Sequence, residues 1–547
     1  MPTVTLHPLD IGIVVAYLVM LILVGIYHSG KQDSLLDFFM AHKGMTWVPV
    51  GISLMAALNS GLDYLNTPSA VIRLGWLIVV INGSWLIIYP YMFFIVIPMF
   101  RRLNTMSAYE YLGLRFGSEM RTFASCIFIA WRLSWMAGAL YVPCLALTTA
   151  VGRPEWIVPM IVTLGAIVTF YTMLGGIKAV IWNDVAQFAL MMFGLVVTLI
   201  VVLSHVEGGV SAVFAEMFTE GLENHPDPVI DTSTWYGRIW SYFSIELVIP
   251  GILLFWFVRL GGFTSDQVMI QRFSTAKTIG HARRSFLITA IADIVWMVLL
   301  FIVGVALVTY IKEGGELPDW VADNTDRIFP YVMADIFPVG ATGLVLAAIL
   351  AASLSSVDSA INSLTTVGMV DFYRRLYLGR EDGDAQESVA EQHRQVWISR
   401  LLTILVGAVG ITLACYVENI GTLFDVLTKI LASFTAVMLG IFWLGMFTTR
   451  ATMTSTMAGA LIGVVVAMAL GYLPALSIGA IWVGETQTGA KKLSIKFDED
   501  ADVPVGVYLT ALVNSYKESE KHPDFRILPH RDGAGLGAAA GVVASVG

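Results

Sequence analysis

Charged residues are scarce in this chain. Asp, Glu, Lys and Arg make up 13% of its 547 residues, about half of their share in a typical soluble domain. Hydrophobic residues make up 57%, and the mean hydropathy is +0.75. The net charge of −9 provides no basic surface for nucleic acid. This composition excludes a soluble globular enzyme, a disordered chain and a nucleic-acid-binding protein, and it predicts an all-α polytopic protein embedded in a lipid bilayer.

Ligands for metals and cofactors are also scarce. The three cysteines, at 126, 144 and 415, lie in apolar runs and lack metal-ligand spacing. None of the nine histidines lies in the middle of an apolar span, where a haem held between helices would need them. The sequence has no Walker-type phosphate loop, no HExxH and no GxSxG. These absences argue against a membrane enzyme and favour transport driven by an ion gradient.

Twelve apolar stretches are long enough to cross a bilayer. Their approximate bounds are 10–29, 47–74, 76–100, 122–150, 156–173, 178–204, 240–266, 285–311, 340–371, 397–417, 421–447 and 452–474. Two of them, 47–74 and 240–266, are long and are interrupted by glycine, proline and polar residues.

The distribution of Lys and Arg predicts the orientation in the membrane. The connections on one side of the predicted spans carry sixteen of these residues, and those on the other side carry five. Because basic loops remain in the cytoplasm, the N-terminus is predicted to lie outside an inner or plasma membrane. No cleavage site of small residues follows the first apolar run, which is therefore interpreted as a retained helix.

The last 73 residues differ from the rest. Residues 475–547 carry 16 charged side chains, against 57 in the preceding 474 residues. Residues 491–497 and 503–509 alternate between polar and apolar side chains, as short strands do. We predict a transmembrane domain over 1–474 and a separate, outward-facing tail over 475–547, which is either small and β-rich or foreign to the transporter.

The span 340–371 carries an unusual set of polar residues. At helical spacing, one face presents Ala352, Ser355, Ser356, Ser359 and Ser363, and Asp358 adjoins this face. Sodium is a hard cation that takes oxygen ligands, which serine hydroxyls and exposed carbonyls supply. The alternative is close packing of helices through small residues. Packing alone does not explain an aspartate beside these four serine hydroxyl groups.

The interrupted span 47–74 is the second candidate. Its polar residues are Asn59, Ser60, Gly61, Asp63, Asn66, Thr67 and Pro68. They predict an unwound segment whose carbonyls can coordinate a cation. A plain kink at the proline is the alternative, but a kink requires neither the aspartate nor the asparagines.

At this point the sequence resembles the sodium:solute symporter family. Five phrases carry the resemblance, in the order in which the family has them: DFFMAHKGMTWVPVGISLMAALNS (37–60), SAYEYLGLRFG (107–117), GGIKAVIWNDVAQF (175–188), SDQVMIQRFSTAK (265–277) and LSSVDSAINSLTTVGMVDFY (354–373). The resemblance covers about residues 9–474. It implies the LeuT-type fold, with two inverted five-helix repeats, here 47–204 and 240–447, a leading helix and a trailing helix.

The resemblance also implies the cation sites, with Na⁺ as the coupling ion. Matched to the family's motif, the main sodium site takes backbone carbonyls from Ala56, Asn59 and Ala352 and hydroxyls from Ser355 and Ser356. Asn59 stands where relatives often have an apolar residue.

A second site occurs in some family members, and here it corresponds to Asp184, Asp358 and Ser359. Asp358 stands where some relatives have serine. The two carboxylates could hold a second sodium ion or share a proton. The alternative for Asp184 is a carboxylate at a helix start near the cytoplasmic face.

The solute pocket is predicted by position in the family's fold. Its expected lining residues are Asp63, Asn82, Trp85, Arg132, Trp135, Tyr141, Arg259, Phe263 and Thr428. An arginine within a span needs a partner. For Arg132 and Arg259 this partner is either a carboxylate on the solute or an internal one, Asp63 or Asp425. We expect Asp293 to act from behind the pocket.

These observations predict a secondary active symporter that couples sodium entry to uptake of a small organic solute. Sugars, carboxylates, amino acids and vitamin-like compounds remain open as its solute. A transporter-like membrane sensor is the alternative from another class. Such sensors usually carry a long cytoplasmic signalling domain, whereas the tail here is short and predicted to lie outside.

Overall fold

The computed structural model describes residues 7–29, 32–74, 79, 82–151, 153–217, 248–314, 328–379, 388–417, 423–472, 481–485 and 491–495. We number the helices in chain order, and they are α1 (Pro8–His28), α2 (Leu35–Met40), α3 (Trp47–Leu58), α4 (Gly61–Leu74), α5 (Trp85–Leu103), α6 (Glu110–Phe116), α7 (Ser118–Val151), α8 (Ile157–Ser204), α9 (Gly209–Glu216), α10 (Val248–Ser265), α11 (Gln267–Ser274), α12 (Ile279–Gly314), α13 (Ile328–Ile336), α14 (Ala341–Tyr377), α15 (Val389–Tyr416), α16 (Leu423–Phe447) and α17 (Met453–Tyr472). The last ten residues of α14 have π-helical hydrogen bonding.

Helices correspond to the predicted spans throughout the described residues. Parts of four spans lie outside those residues, namely 76–78 with 80–81, 240–247, 421–422 and 473–474. Within the described part of the chain, seven helical stretches are long and apolar enough to cross a membrane by themselves: Pro8–His28, Trp85–Leu103, Ser118–Leu145, Ile157–Ser204, Ile279–Glu313, Ala341–Tyr377 and Val389–Tyr416. The prediction of a helical multi-pass protein is therefore confirmed.

The first interrupted span is broken in the structure. α3 ends at Leu58, and Asn59 has an extended backbone with φ of −103° and ψ of 136°. α4 then begins at Gly61. The side chain of Asp63 accepts the backbone N–H of Ser60 at 2.6 Å, which is one half of a capping box. The polar residues at this point thus end one helix and start the next.

The break is narrower than the sequence predicts. Asn66, Thr67 and Pro68 all lie inside α4, so the non-helical segment between α3 and α4 contains only Asn59 and Ser60. Pro68 is the eighth residue of α4, beyond the first turn, so it lacks the N–H that would otherwise bond to the carbonyl oxygen of Tyr64.

The second interrupted span is broken at Asp266. This residue separates α10 from α11, with φ of −77° and ψ of 120°. Its carboxylate caps α11 by accepting the N–H of Val268 at 2.9 Å. The span was predicted to end at residue 266, but helical structure resumes after this residue as α11.

The helix α8 contains two of the predicted spans, 156–173 and 178–204. Gly176 separates them with φ of +56° and ψ of −160°. A Cβ atom at this position would lie 2.6 Å from the carbonyl oxygen of Phe38. Glycine is required here both by the backbone conformation and by the close approach of the neighbouring chain.

α14 forms the centre of the helical unit. From Val345 to Val367 every residue is buried, and the helix packs against α1, α3, α4, α7 and α8. Small side chains allow this close packing, since a Cβ atom on Gly194 of α8 would lie 2.4 Å from the Cβ atom of Ala348. Small residues thus pack this helix closely, and its role as a source of cation ligands stays a prediction.

The described residues fall into two compact units. One is drawn from Met1–His225 and Phe255–Leu461, and the other from Pro226–Leu254 and Ile462–Gly547. The second unit contains two antiparallel strands, β1 (Ile481–Glu485) and β2 (Lys491–Ile495). β2 falls within the predicted strand at 491–497, β1 was not predicted, and 503–509 lies outside the described residues. A β-rich character for the whole tail stays a prediction.

Candidate functional site

The break after α3 leaves two carbonyl groups without their usual helical partners. In a continuous helix, Ala56 would accept the N–H of Ser60 and Asn59 that of Asp63. Instead, Ser60 donates to the Asp63 side chain at 2.6 Å, and the N–H of Asp63 donates to the carbonyl of Ser60 at 3.0 Å. The capping of α4 thereby releases the carbonyl oxygens of Ala56 and Asn59.

Two serines of α14 face these carbonyls. Ser355 Oγ lies 2.9 Å from the carbonyl oxygen of Ala56 and 2.9 Å from that of Ala352. Ser356 Oγ lies 3.3 Å from the carbonyl oxygen of Asn59 and 3.5 Å from that of Ala352. All five residues predicted for the main sodium site are thus brought together, and all are buried.

The cluster of these five oxygens is rich in lone pairs. Each serine hydroxyl has one hydrogen but faces two carbonyl oxygens, so it can donate to only one of them at a time. A hard cation among these oxygens would be coordinated without any carboxylate. The arrangement therefore fits a monovalent cation such as sodium, and which ion it binds remains a prediction.

A second polar cluster joins four helices around a buried arginine. Arg272 of α11 donates from Nη2 to Asp184 Oδ2 at 3.0 Å and, from the same atom, to Ser359 Oγ. Its Nε atom donates to Ser53 Oγ at 2.8 Å, and Ser53 donates in turn to Asp184 Oδ2 at 2.5 Å. The guanidinium thus already provides a positive charge beside two of the residues predicted for a second cation site.

Asp358 has neutral hydrogen-bond partners in this cluster and interacts electrostatically with Asp184 and Arg272. Tyr171 donates to its Oδ2 atom at 2.7 Å, and Ser359 Oγ lies 3.2 Å from its Oδ1 atom. The aspartate is completely buried. A buried carboxyl group with such surroundings is costly to ionise, so it requires a proton or a bound cation.

A third cluster is built around Asp293 of α12. Its Oδ1 atom accepts Asn59 Nδ2 at 2.8 Å, and its Oδ2 atom accepts Trp85 Nε1 at 2.8 Å and Arg259 Nη2 at 2.5 Å. The guanidinium of Arg259 also donates to Ser84 at 3.0 Å and lies over the ring of Trp85.

Aromatic rings pack beside this carboxylate. The ring centroids of Trp85, Phe263 and Phe286 lie 5.2 to 5.5 Å from one another. Three predicted pocket residues, Trp85, Arg259 and Phe263, are thus brought together, and Asp63 interacts electrostatically with Arg259 and Asp293.

The expected partners of the two arginines were wrong in part. Arg132 pairs with Asp266 at 3.2 Å, and Arg259 pairs with Asp293. Neither pair involves Asp63, whose carboxylate caps α4. Sequence position favoured Asp63 because it is close to the break, but a carboxylate at the third position of a helix is satisfied locally by the N–H groups there.

The remaining predicted pocket residues are not joined to this cluster by the described hydrogen bonds. Trp135 and Tyr141 both lie on α7, where Tyr141 is buried. The side chains of Asn82 and Thr428 lie outside the described part of the chain, and so does that of Asp425. Their assignment to the pocket stays a prediction.

Sequence reasoning placed Arg272 incorrectly, whereas Asp293, which was expected behind the pocket, is buried and accepts hydrogen bonds from the predicted pocket residues Trp85 and Arg259. Arg272 was counted among the cytoplasmic loop cations, yet its side chain is 1% exposed. Its place in the phrase 265–277, immediately after an interrupted span, was the available signal. Asp293 is a carboxylate within an apolar span, which by itself indicates a functional position.

Known proteins are similar to this chain over most of its length. The sequence profile of the sodium:solute symporter family matches residues 38–463. The chain belongs to the sodium:solute symporter family. The symporter is 28% identical to the sodium/sialic acid symporter of Proteus mirabilis over 85% of this chain and 90% of that protein. It is 30% identical to a sodium/sialic acid symporter of Aliivibrio fischeri over 83% of this chain and 85% of that protein.

A solved structure is also similar to the symporter. It shows a substrate-bound, outward-open state of a Na⁺-coupled sialic acid symporter, with a TM-score of 0.73 and 26% identity over 85% of this chain and 92% of that one. Sodium-coupled monocarboxylate transporter 1 of Homo sapiens is 28% identical over 82% of this chain and 70% of that protein. The predictions of a transporter rather than an enzyme, and of sodium as the coupling ion, are confirmed at the level of the family.

Proposed function

We propose that this symporter imports a small organic solute together with sodium by alternating access. One observation carries the proposal: three carbonyl oxygens and two serine hydroxyls from a broken helix and a central helix converge in a buried cluster. These oxygens come from Ala56, Asn59, Ala352, Ser355 and Ser356. A site shared between two helices is sensitive to their relative position, and a transport cycle depends on this sensitivity.

The two helix breaks support a LeuT-type arrangement for the transporter. The first break, at Asn59 and Ser60, lies near the start of the proposed repeat 47–204, and the second, at Asp266, lies early in the proposed repeat 240–447. Broken first helices in two inverted repeats are typical of this fold, because the breaks form the binding site near the middle of the membrane.

Asp184, Asp358 and Ser359 form a second site for a cation or a proton. The position of Arg272 favours the proton, because the guanidinium already balances the charge of Asp184. A proton on Asp358 would remove the remaining buried negative charge, and a second sodium ion would require the guanidinium to move away.

The solute is proposed to be a small anion or polar compound that reaches Arg259. The relatives above carry sialic acid and monocarboxylates, which supports the carboxylate part of the predicted range. In the structure, Arg259 pairs with Asp293. A solute carboxylate would therefore share this guanidinium or replace the aspartate on it.

The orientation with the N-terminus and the tail outside an inner or plasma membrane remains part of the proposal. Arg272 is buried, and without it the count of basic residues in the connections still favours the same side strongly.

Uptake into proteoliposomes tests the function. Purified protein is reconstituted, and uptake of labelled sialic acid, pyruvate, biotin, glucose and proline is measured with an inward Na⁺ gradient and with K⁺ in its place. We expect Na⁺-dependent accumulation of at least one carboxylate, abolished when a sodium ionophore removes the gradient. Sodium-dependent binding without any accumulation would instead support the sensor alternative.

A further inference from the structure

Asn59 is the residue at which the cation cluster and the solute pocket meet. Its carbonyl oxygen lies 3.3 Å from Ser356 Oγ, and its Nδ2 atom lies 2.8 Å from Asp293 Oδ1. Asn59 is 2% exposed, and Asp293 is completely buried. Its main chain therefore belongs to one site and its side chain to the other.

The orientation of the Asn59 amide follows from its partners. An ionised carboxylate only accepts hydrogen bonds, so the amide nitrogen must face Asp293. The same nitrogen lies 3.3 Å from the carbonyl oxygen of Met55. Two acceptors on different helices thus hold the side chain of a residue whose backbone is extended at the helix break.

Asp293 connects Asn59 to the residues of the pocket through hydrogen bonds. While Oδ1 accepts from Asn59, Oδ2 accepts from Trp85 at 2.8 Å and from Arg259 at 2.5 Å. The side chain of Arg259 is 16% exposed, whereas that of Asp293 is fully buried. The hydrogen-bonded chain therefore runs from the buried cation cluster to a guanidinium that a solute can reach.

We infer that Asn59 is a positioning residue that couples cation binding to solute binding, an inference that rests on the cation cluster proposed above. A cation bound to the Asn59 carbonyl fixes the orientation of this residue. The amide then holds Asp293, which in turn holds Arg259 and Trp85 in the arrangement that accepts the solute. By thermodynamic linkage, solute binding strengthens cation binding by the same factor.

This coupling depends on the side chain at position 59 and not on the number of cation ligands. An apolar residue would offer the same carbonyl oxygen but no donor to Asp293. Replacing Asn59 by leucine therefore separates the two functions, because the cation keeps all five oxygens while the link to the pocket is lost.

Binding of radiolabelled Na⁺ to the purified full-length protein, without solute, tests the inference. Four proteins are compared: the unmodified protein, Asn59→Leu, the pair variant Asp293→Leu with Arg259→Met, and the combination of all three substitutions. The pair variant removes both charges together, so that no unpaired charge stays buried. It touches none of the five cation-cluster oxygens, so only a coupled pocket can change Na⁺ binding.

In the unmodified background we expect the pair variant to raise the half-saturating Na⁺ concentration roughly five- to 150-fold, the usual range of site–site coupling. In the Asn59→Leu background the same pair of substitutions should shift it less than twofold. An equal shift in both backgrounds, or no shift in either, overturns the inference. Should the pair variant fail to fold, Asp293→Glu, which displaces the same carboxylate by one methylene, takes its place in the cycle.

Thr289→Val is the matched control. Thr289 also joins α12 to α3, through a hydrogen bond to the carbonyl oxygen of Gly51 at 3.0 Å, but it contacts neither cluster. We expect it to lower the melting temperature and to leave Na⁺ binding within twofold. A large loss of Na⁺ affinity in this variant would show that any contact between these helices has the same effect.

The serine variants separate the inference from the proposed function. If Ser355→Ala and Ser356→Ala both leave Na⁺ binding unchanged, the cation cluster is misplaced and the inference falls with it. If they weaken Na⁺ binding while the pair variant acts independently of Asn59, the proposed cation site stands and the inference alone is wrong.

Discussion

The Nη2 atom of Arg272 lies 3.0 Å from the Oδ2 atom of Asp184, and both side chains are almost completely inaccessible to solvent. The pair joins α11, which follows the second helix break, to α8. Ser53 on α3 contacts both partners. An ion pair at the junction of two broken helices constrains the same segments that surround the proposed cation site.

This pair should respond as a unit to substitution. Arg272→Met leaves a buried carboxylate without its cation and Asp184→Asn leaves a buried guanidinium, so each is expected to lower the free energy of unfolding by about 3–5 kcal/mol. The double variant should lose clearly less than the sum of the two. Thermal unfolding in detergent measures all four proteins, and strictly additive losses would show that the partners are energetically independent.

The two serines of the cation cluster should determine sodium affinity. Ser355→Ala and Ser356→Ala each remove one oxygen ligand at nearly constant packing, and each should raise the half-saturating Na⁺ concentration for uptake about tenfold, which corresponds to a lost interaction of about 1–1.5 kcal/mol. The control is Ser363→Ala, since this hydroxyl bonds to Ala360 within the same helix. Equal Na⁺ dependence in all three variants would place the site elsewhere.

Asp358 should determine the pH dependence of uptake. Its buried carboxyl group has neutral hydrogen-bond partners, Tyr171 and Ser359, so it is expected to bind a proton or a cation during transport. Asp358→Asn removes this requirement and should flatten the profile of uptake between about pH 5 and 8. Asp335→Asn, at a carboxylate that accepts from Tyr310 in an exposed hydrogen bond, is the control. An unchanged profile in Asp358→Asn would leave the residue with a structural role.

Gly176 should tolerate no side chain. Alanine at this position combines a left-handed φ of +56° with a Cβ atom 2.6 Å from the Phe38 carbonyl oxygen, so Gly176→Ala should destabilise the protein by at least about 1–2 kcal/mol. A Cβ atom on Gly440 meets nothing within 4 Å, so Gly440→Ala is the matched control. Thermal unfolding of the two variants tests this prediction. Equal melting temperatures would contradict the requirement for glycine at position 176.

The tail should be dispensable for transport. A chain that ends after Tyr472 keeps α17 and every residue assigned here to a site. We expect it to insert into membranes and to accumulate solute at the normal rate in proteoliposomes. Loss of insertion after this truncation would show that residues 473–547 contribute to the transmembrane domain.

Some elements of the site could be predicted residue by residue. Ser355 and Ser356 lie at adjacent helical positions in a span rich in small residues, and Asn59 lies where polar residues interrupt an apolar run. Both signals are local, because helix periodicity and helix breaking depend on neighbours in the chain. The structure brings these residues within hydrogen-bonding distance, as the family resemblance implied.

Other elements could not be predicted because they depend on distant segments. The partner of Arg259 is Asp293, 34 residues along the chain, and Asn59 reaches the same carboxylate from 234 residues away. Asp63 was assigned to the pocket by its position, whereas its carboxylate completes a local helix cap. Residue type alone does not distinguish a cap from a ligand when both lie at a helix break.

The sequence by itself determined that this protein is a bundle of membrane helices, that two of those helices are interrupted, and which family it belongs to. Hydropathy, helix-breaking residues and family phrases are all properties of contiguous segments. Only the tertiary structure decided which buried charges pair. Arg272 lies beside Asp184, and Arg259 beside Asp293, because four or more helices converge there. In a low-dielectric interior each charge must find a partner, and which partner it finds depends on how the helices pack rather than on their sequence order.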